Sequence, residues 1–396
     1  MSLVLRFSVF LTAITTGLAF AQSTPASTSA GSRSSGTHPW GDLEYYEIPL
    51  TCPEHTLRML DIPSSQTEWL FEQTSIKGLR AHLTAKGFPE EEIHYVLDGC
   101  TAIFDPAIGT RLFPDDDLVR NMPLPLRVKT YRILAQNPRN RFHHRPLFMN
   151  SGNVTEWFRD SGLPRAILAD VAQLAYPTPT GNAYYFSDVS FLLRQAHKSP
   201  EEQLVMRALM RRPALMARLK LDTNSDLAAL SDYWAAGFKN KDILPLMESV
   251  VRTKQVDRLD IAHLLPPTPR RNLFTFPELS EGASGRFPDW FWTCYNFFRF
   301  TPVDIYADSP NWEALMTREF ELALRPYQFG DMLVVRNGDQ AIHGCIYVAD
   351  DIVYTKNSAD IYSPWILMKL DDVLAYHDMR GDAEITAHRK REVPLP

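Results

Sequence analysis

Apolar residues at helical spacing dominate the chain from about residue 42 to residue 265. The clearest helix start is Ser199, where a capping serine precedes a proline suited to the first turn, and Glu202 can complete a capping box. The same spacing predicts further helices at Pro213 to Leu219, after the capping run Asn224-Ser225-Asp226, and from Ile243 to Val251. We therefore expect residues 42–265 to form a mainly helical domain.

The pattern changes after a proline-rich segment, Leu264 to Pro269, where extended backbone is favoured and a domain boundary is expected. A loop inside one larger domain is the alternative. Downstream, a helix is predicted over Trp312 to Ala323, and tight turns at Asn337-Gly338 and Ala349-Asp350-Asp351 separate three strands. The predicted strands are Met332 to Arg336, Ala341 to Val348 and Ile352 to Lys356. Helices followed by an antiparallel meander predict an α+β fold, with residues 270–392 as the second domain.

The N-terminal segment has the pattern of a targeting signal. A weakly positive start and an apolar run, Phe7 to Phe20, precede Ala19-Phe20-Ala21, which predicts a signal peptide over residues 1–21. An uncleaved anchor is the alternative, although the run is short for a membrane span. Residues 22–41, rich in Ser, Thr, Gly and Ala, predict a flexible linker. We expect an exported protein, periplasmic or extracellular, without integral membrane association after cleavage.

Length and composition narrow the remaining classes. A chain of 396 residues favours two folded units, and the net charge of −6 without an extended basic run argues against nucleic-acid binding. An oxidising compartment would preserve a disulfide between Cys52 and Cys100, and free buried thiols are the alternative. Cys294 and Cys345 then remain for the C-terminal part of the chain.

The C-terminal part also carries the residues of a thiol nucleophile and its base. Thr293 can cap a helix and place Cys294 in its first turn, where the helix terminus stabilises a thiolate. His343, on the second predicted strand, can act as base and then as acid, on a strand face directed at the Cys294 helix. Of two polar residues able to orient the imidazole, Thr355 is closer and Asn357 is the stronger acceptor, and we choose Asn357. The pattern predicts a Cys294–His343–Asn357 triad acting on an amide or ester carbonyl, with buried structural residues as the alternative.

These residues resemble the NlpC/P60 superfamily of papain-like cysteine peptidases. In that family a cysteine at a helix N-terminus is followed by a Gly-Asp that enters a strand, then by a strand of the type His-x-Gly-Ile-Tyr. The resemblance covers roughly the last third of the chain. The matching segments are Thr293-Cys294-Tyr295, Gly330-Asp331-Met332-Leu333-Val334, His343-Gly344-Cys345-Ile346-Tyr347-Val348-Ala349-Asp350, and the strand that ends at Asn357.

The resemblance implies a papain-like helix and antiparallel sheet over residues 270–392, and an exported cysteine hydrolase that cleaves an amide or peptide bond. Its substrate would be a peptide or a peptidoglycan-like molecule, such as a cell-wall peptide stem. The family commonly has Asp-Cys-Ser-Gly where this chain has Thr293-Cys294-Tyr295-Asn296. That departure favours the alternative of a catalytically inactive papain-fold binding protein of the cell envelope. We expect no cofactor and no metal, because Cys294, His343 and Cys345 do not have a common zinc spacing.

Overall fold

The structure is a computed structural model, and it describes residues 38–59, 66–149, 153–179, 181, 183–196, 199–236, 240–282, 285–377, 379 and 383–391. The predicted signal peptide and residues 22–37 of the predicted linker lie outside these ranges. Within them, no helix is long and apolar enough to cross a membrane. The last linker residues are packed, since the Trp234 indole donates to the Trp40 carbonyl at 3.2 Å.

The described residues contain fifteen strands in antiparallel sheets. The strands are β1 (Asp42–Leu50), β2 (Trp69–Glu72), β3 (Cys100–Asp105), β4 (Gly109–Pro114), β5 (Leu147–Met149), β6 (Tyr176–Pro177), β7 (Tyr184–Phe186), β8 (Arg212–Lys220), β9 (Arg258–Asp260), β10 (Phe320–Ala323), β11 (Met332–Asn337), β12 (Gln340–Ala349), β13 (Ile352–Thr355), β14 (Ile366–Lys369) and β15 (Glu384–Lys390). Their orders are β1-β8-β9, β2-β4-β3, β5-β7-β6 and β10-β15-β11-β12-β13-β14.

Helices lie between and over these sheets. They are α1 (Glu54–Leu57), α2 (Ile76–Ala85), α3 (Glu90–Asp98), α4 (Asp116–Asn121), α5 (Leu124–Leu134), α6 (Arg141–His144), α7 (Val154–Trp157), α8 (Arg165–Leu174), α9 (Val189–Gln195), α10 (Ser199–Leu209), α11 (Leu227–Trp234), α12 (Ile243–Arg252), α13 (Pro267–Asn272), α14 (Trp290–Tyr295), α15 (Trp312–Glu319) and α16 (Leu370–Tyr376). Short 3₁₀ turns occur at Ile261–His263 and Leu279–Gly282. The combination of helices with antiparallel sheets confirms the α+β class.

The part of the chain between β1 and β8 forms its own hydrophobic core. That core extends from Cys52 to Met210, with Phe276 added from later in the chain. β1 pairs with β8 along its whole length, and the last pair is Leu50 with Arg212. Residues 51–211 therefore leave one sheet and return to it at adjacent positions, and we call them the inserted unit.

A second core surrounds the six-stranded sheet. Its strands alternate, so one face of β12 and β13 carries Ile346, Val348 and Tyr354, which pack with residues of α14. The opposite face carries Cys345 and Val353, which pack with Val373 of α16. The two faces of this sheet consequently bury different helices.

The expectation of a mainly helical region over residues 42–265 was incomplete, because β1 to β9 all lie within it. The helix predicted over Pro213 to Leu219 is wrong, since these residues belong to β8. Leu215, Ala217 and Leu219 are buried at alternate positions, which is the period of a strand. The predicted helices at Ser199, after Asp226 and from Ile243 are confirmed as α10, α11 and α12.

The proline-rich segment also differs from its prediction. Leu264 and Leu265 are buried in the second core, and Pro267 begins α13, because proline tolerates the first turn of a helix. The predicted helix from Trp312 ends at Glu319, and Phe320 begins β10. The three predicted strands of the meander are confirmed as β11, β12 and β13.

Candidate functional site

The helix that carries Cys294 begins earlier than the sequence predicts. Asp289 is its N-cap, and its Oδ1 accepts from the Trp292 backbone N–H at 2.8 Å. Thr293 is not a cap: its hydroxyl donates to the Asp289 carbonyl at 2.8 Å and accepts from the Trp365 indole at 3.0 Å. Cys294 is therefore the fifth residue of α14 and lies beyond the first turn, where the N-terminal dipole is strongest.

The Cys294 side chain is buried in the second hydrophobic core. The residue is 2% exposed and lies in the cluster that contains Phe291, Ile346 and Tyr354. Burial raises the pKa of the Cys294 thiol well above its usual value, and the neighbouring Cys345 and Asp289 raise it further. The thiol is thus neutral at physiological pH and out of reach of a substrate in this conformation.

His343 faces the other side of the sheet. The helix packs on the face of Gly344, where an added Cβ would lie 2.4 Å from Cε3 of Trp290. Side chains alternate along a strand, so His343 shares the opposite face with Cys345. The Trp290 ring of α14 comes within 6.5 Å of the His343 ring, but no hydrogen bond joins Cys294 to His343 in the described part of the chain, in contrast to the triad that the sequence predicts. The helix packs on the Gly344 face of β12, and Cys294 is buried in the core on that face.

His343 and Asn357 are nonetheless connected, through a residue that the sequence ranked second. His343 Nε2 lies 2.8 Å from Thr355 Oγ1, and the Thr355 hydroxyl donates to Asn357 Oδ1 at 3.0 Å. This network assigns the proton of neutral His343 to Nε2. Thr355, rather than Asn357, is therefore the direct partner of the imidazole.

A second histidine stacks on His343. The ring centroids of His343 and His377 are 4.2 Å apart, with an angle of 25° between the ring planes. Burial lowers the pKa of His343 well below its ordinary value, and proximity to His377 lowers it further. Burial also lowers the pKa of His377, to about 4. Both rings are consequently neutral at physiological pH.

His377 lines a cleft of about 520 Å³ between the inserted unit and the end of the six-stranded sheet. The inserted unit contributes α5, α6, β5, β6 and β7, and the C-terminal part contributes the segment after β13 and the end of α16. The lining residues are Val128, Tyr131, Arg132, Ala135, His143, His144, Arg145, Pro146, Leu147, Phe148, Tyr176, Pro177, Pro179, Tyr185, Arg212, Asn357, Ser358, Asp360, Tyr376 and His377.

Positive charge predominates in this cleft. Arg132, Arg145 and Arg212 line it, and none of the three forms a salt bridge within the described ranges. The one lining carboxylate, Asp360, is already occupied by the Ser358 hydroxyl at 2.6 Å and the Tyr362 backbone N–H at 2.8 Å.

Three nitrogen atoms of cleft-lining residues are buried without a hydrogen-bond partner among the described residues. They are Nε2 of His143, Nε of Arg212 and Nε2 of His377. A buried polar atom without a partner costs about 1–3 kcal/mol. The Arg212 nitrogen can only donate, so a ligand that accepts hydrogen bonds suits this cleft.

Sequence reasoning missed most of these cleft residues. One of them is His143, which α6 buries, and burial lowers the pKa of His143 to about 3. One available signal was the polar run Asn357-Ser358-Ala359-Asp360 directly after a buried strand, because loops at strand ends carry binding residues. No local sequence pattern indicated that His377 or Arg212 would line the cleft.

The four cysteines form no disulfide. Cys52, Cys100, Cys294 and Cys345 are all free, so Cys52 and Cys100 are not bridged. Among the described residues, no group of three or more His, Cys, Asp or Glu side chains has the arrangement of a metal site. Comparison with known proteins finds no matching family model, no matching curated protein and no matching solved structure.

Proposed function

We propose that the protein is an exported binding protein with a papain-like C-terminal fold, and that its cleft takes a peptide-like ligand with an acidic group. The observation that carries this proposal is that Arg132, Arg145 and Arg212 line an open cleft with His377 and form no salt bridge with any described residue. The burial of Cys294 supports binding over catalysis by that thiol.

The packing of α14 on the sheet supports the papain-like part of the proposal. α14 packs directly on β12 of an antiparallel sheet, which is the helix-and-sheet arrangement that the resemblance to NlpC/P60 proteins implies.

Aromatic rings provide the apolar part of the site. Between ring centroids, Phe148 lies 5.4 Å from Tyr376 and 6.2 Å from Tyr185. The Tyr185 ring in turn lies 5.8 Å from the Tyr176 ring. A wall of this kind suits the side chains of a peptide, while guanidinium groups suit its terminal or side-chain carboxylate.

A matched pair of peptides tests the proposal. N-acetyl-Ala-Ala-Phe with a free carboxylate and the same peptide ending in an amide are titrated calorimetrically into the full chain. A charge-assisted hydrogen bond is worth about 1.5–3 kcal/mol, so we expect the acid to bind at least about tenfold more tightly. Arg145→Gln should remove most of that preference, whereas Arg252→Gln, in an exposed pair on α12, should not. Equal affinities for the acid and the amide would contradict the proposal.

Hydrolysis by the predicted triad is the second candidate. The hydrogen-bonded series from His343 through Thr355 to Asn357 favours it, because it orients an imidazole. It requires a conformation that exposes Cys294 and brings it to His343. Purified cell wall is the substrate to test, with wild type and Cys294→Ala. Release of peptide fragments by wild type alone would support the hydrolase and overturn the binding proposal.

A further inference from the structure

A second cavity, of about 280 Å³, shares His143 with the cleft but lies within the inserted unit. It is bounded by the segment before β2, by α6 and by the start of α9. The lining residues are Gln66, Thr67, Glu68, Arg139, Asn140, Arg141, Phe142, His143, Ser187, Asp188 and Ser190.

Asp188 is the unusual member of this lining. It is 2% exposed, and its Oδ1 accepts from the Tyr131 hydroxyl at 2.7 Å. Its Oδ2 is buried and has no hydrogen-bond partner among the described residues. A buried carboxylate oxygen is left with a free acceptor site next to a cavity.

The other polar groups around the cavity are already paired. Asn140 accepts from the Leu70 N–H and donates to the Leu70 and Leu134 carbonyls. Ser187 pairs with Tyr176 at 2.7 Å, Glu68 with Arg111 at 3.7 Å and Arg139 with Glu72 at 3.3 Å.

The cations near Asp188 lower its pKa but make their hydrogen bonds to other groups. Arg127 donates to the carbonyls of Val119 and Gln173, with its Nε left without a partner among the described residues, and Arg194 pairs with Asp116. His143 Nε2 is the other buried atom of the lining without a partner in the described part of the chain. A ligand in this cavity would thus meet one free carboxylate oxygen and one imidazole nitrogen.

We propose that this cavity binds a small molecule with a primary ammonium group, which donates a hydrogen bond to Asp188 Oδ2. A carboxylate oxygen accepts only, so its partner must be a donor, and a cationic donor gives the stronger bond. The volume suits a ligand of few heavy atoms. The site shares only His143 with the lining of the proposed acidic-ligand cleft, and its argument does not depend on that proposal.

Two ammonium ions of different donor capacity test the proposal without any variant. Methylammonium has N–H donors, whereas tetramethylammonium has none. We expect methylammonium chloride to raise the melting temperature of the full chain more than equal concentrations of tetramethylammonium chloride, and to appear beside Asp188 in soaked crystals. Equal shifts, or a cavity holding only water at saturating methylammonium, would overturn the proposal.

A substitution adds a second test. Asp188→Asn keeps an oxygen for the Tyr131 hydroxyl but removes the negative charge, so methylammonium affinity should fall by at least about tenfold. Circular dichroism establishes whether the variant is folded. If the variant does not fold, the comparison of methylammonium with tetramethylammonium on the wild-type protein remains the test of the site. A folded Asp188→Asn protein with unchanged methylammonium affinity would refute the site.

Discussion

The indole of Trp290 lies directly on Gly344, at a position where a Cβ would come 2.4 Å from its Cε3 atom. This contact fixes α14 on the face of β12 that also carries Ile346. Cys294 follows one turn later on the same helix, so it points into the same core. The thiol is thus buried on the same side of the sheet as the contact between Trp290 and Gly344.

Gly344→Ala should destabilise the protein by about 1–3 kcal/mol, because a methyl group there overpacks the contact with the indole. Trp290 has little freedom to move, since its ring also packs edge-on against Phe291 and Trp312. Urea unfolding measures the change in the free energy of unfolding.

Gly78→Ala in α2 is the matched control. An added Cβ there meets only Ser75 Oγ at 3.2 Å and Thr74 Cγ2 at 3.9 Å, and alanine favours a helix over glycine. We expect a change within about 0.5 kcal/mol, typical of surface substitutions. If Gly344→Ala is no more costly than Gly78→Ala, the indole does not cover Gly344.

The buried thiol should react only when the protein unfolds. Burial raises the pKa of the Cys294 thiol well above its usual value, so native protein at pH 8 should leave Cys294 unmodified by iodoacetamide. Peptide mass spectrometry identifies the labelled cysteines. In denaturant Cys294 should label like the other thiols. Rapid native labelling of Cys294 that is lost in His343→Ala would instead support the hydrolase.

Thr355→Val should cost about 1–3 kcal/mol although the two side chains have nearly the same shape, because it leaves His343 Nε2 buried without a partner. Thr84→Val is the matched control, since the Thr84 hydroxyl bonds to the Arg80 carbonyl on an exposed turn of α2. Chemical denaturation measures the free energy of unfolding of both variants relative to wild type. A smaller loss in Thr355→Val than in Thr84→Val would contradict the described hydrogen bond.

His143 should make stability fall in mild acid. Burial lowers its pKa to about 3, so between that value and about 6.5 the unfolded chain binds a proton that the folded chain does not. The contribution is fully present above about pH 6.5 and is lost as the pH falls.

His143→Phe tests this linkage and keeps a ring against Tyr131, whose centroid lies 4.6 Å away. The pH dependence of its unfolding free energy should be shallower than that of wild type by about 1.4 kcal/mol per pH unit between about pH 6 and 4. His343, His377 and Asp188 titrate in both proteins, so the difference isolates His143. Parallel pH profiles would show that His143 is not buried in the neutral form.

The local parts of the fold could be predicted from the sequence, and the non-local parts could not. β11, β12 and β13 follow one another through short turns at Gly338 and Asp350, both with positive φ, so alternation and turn residues identify them. β8 has the alternation of a strand, but its partner β1 lies far away in the sequence, and apolar spacing alone permitted a helix.

In the candidate site, too, the local features could be predicted from the sequence and the non-local ones could not. The period of β12 correctly groups His343 with Cys345 and Tyr347 on one face. It does not tell which face receives α14, because both faces of this sheet are apolar. His377 and Arg212 reach the cleft only through the packing of α16 and β8, which no local pattern encodes.

The pairing of Leu50 with Arg212 brings the two ends of the inserted unit next to each other. Residues 51–211 leave the sheet and return to it at these two neighbouring strand ends, and Phe276 from later in the chain packs into their core. Replacing them with a tight turn would turn β1 and β8 into a simple hairpin and remove Tyr131, Arg145 and the rest of one cleft wall. One wall of the cleft therefore belongs to a continuous stretch of chain whose two ends meet on neighbouring strands.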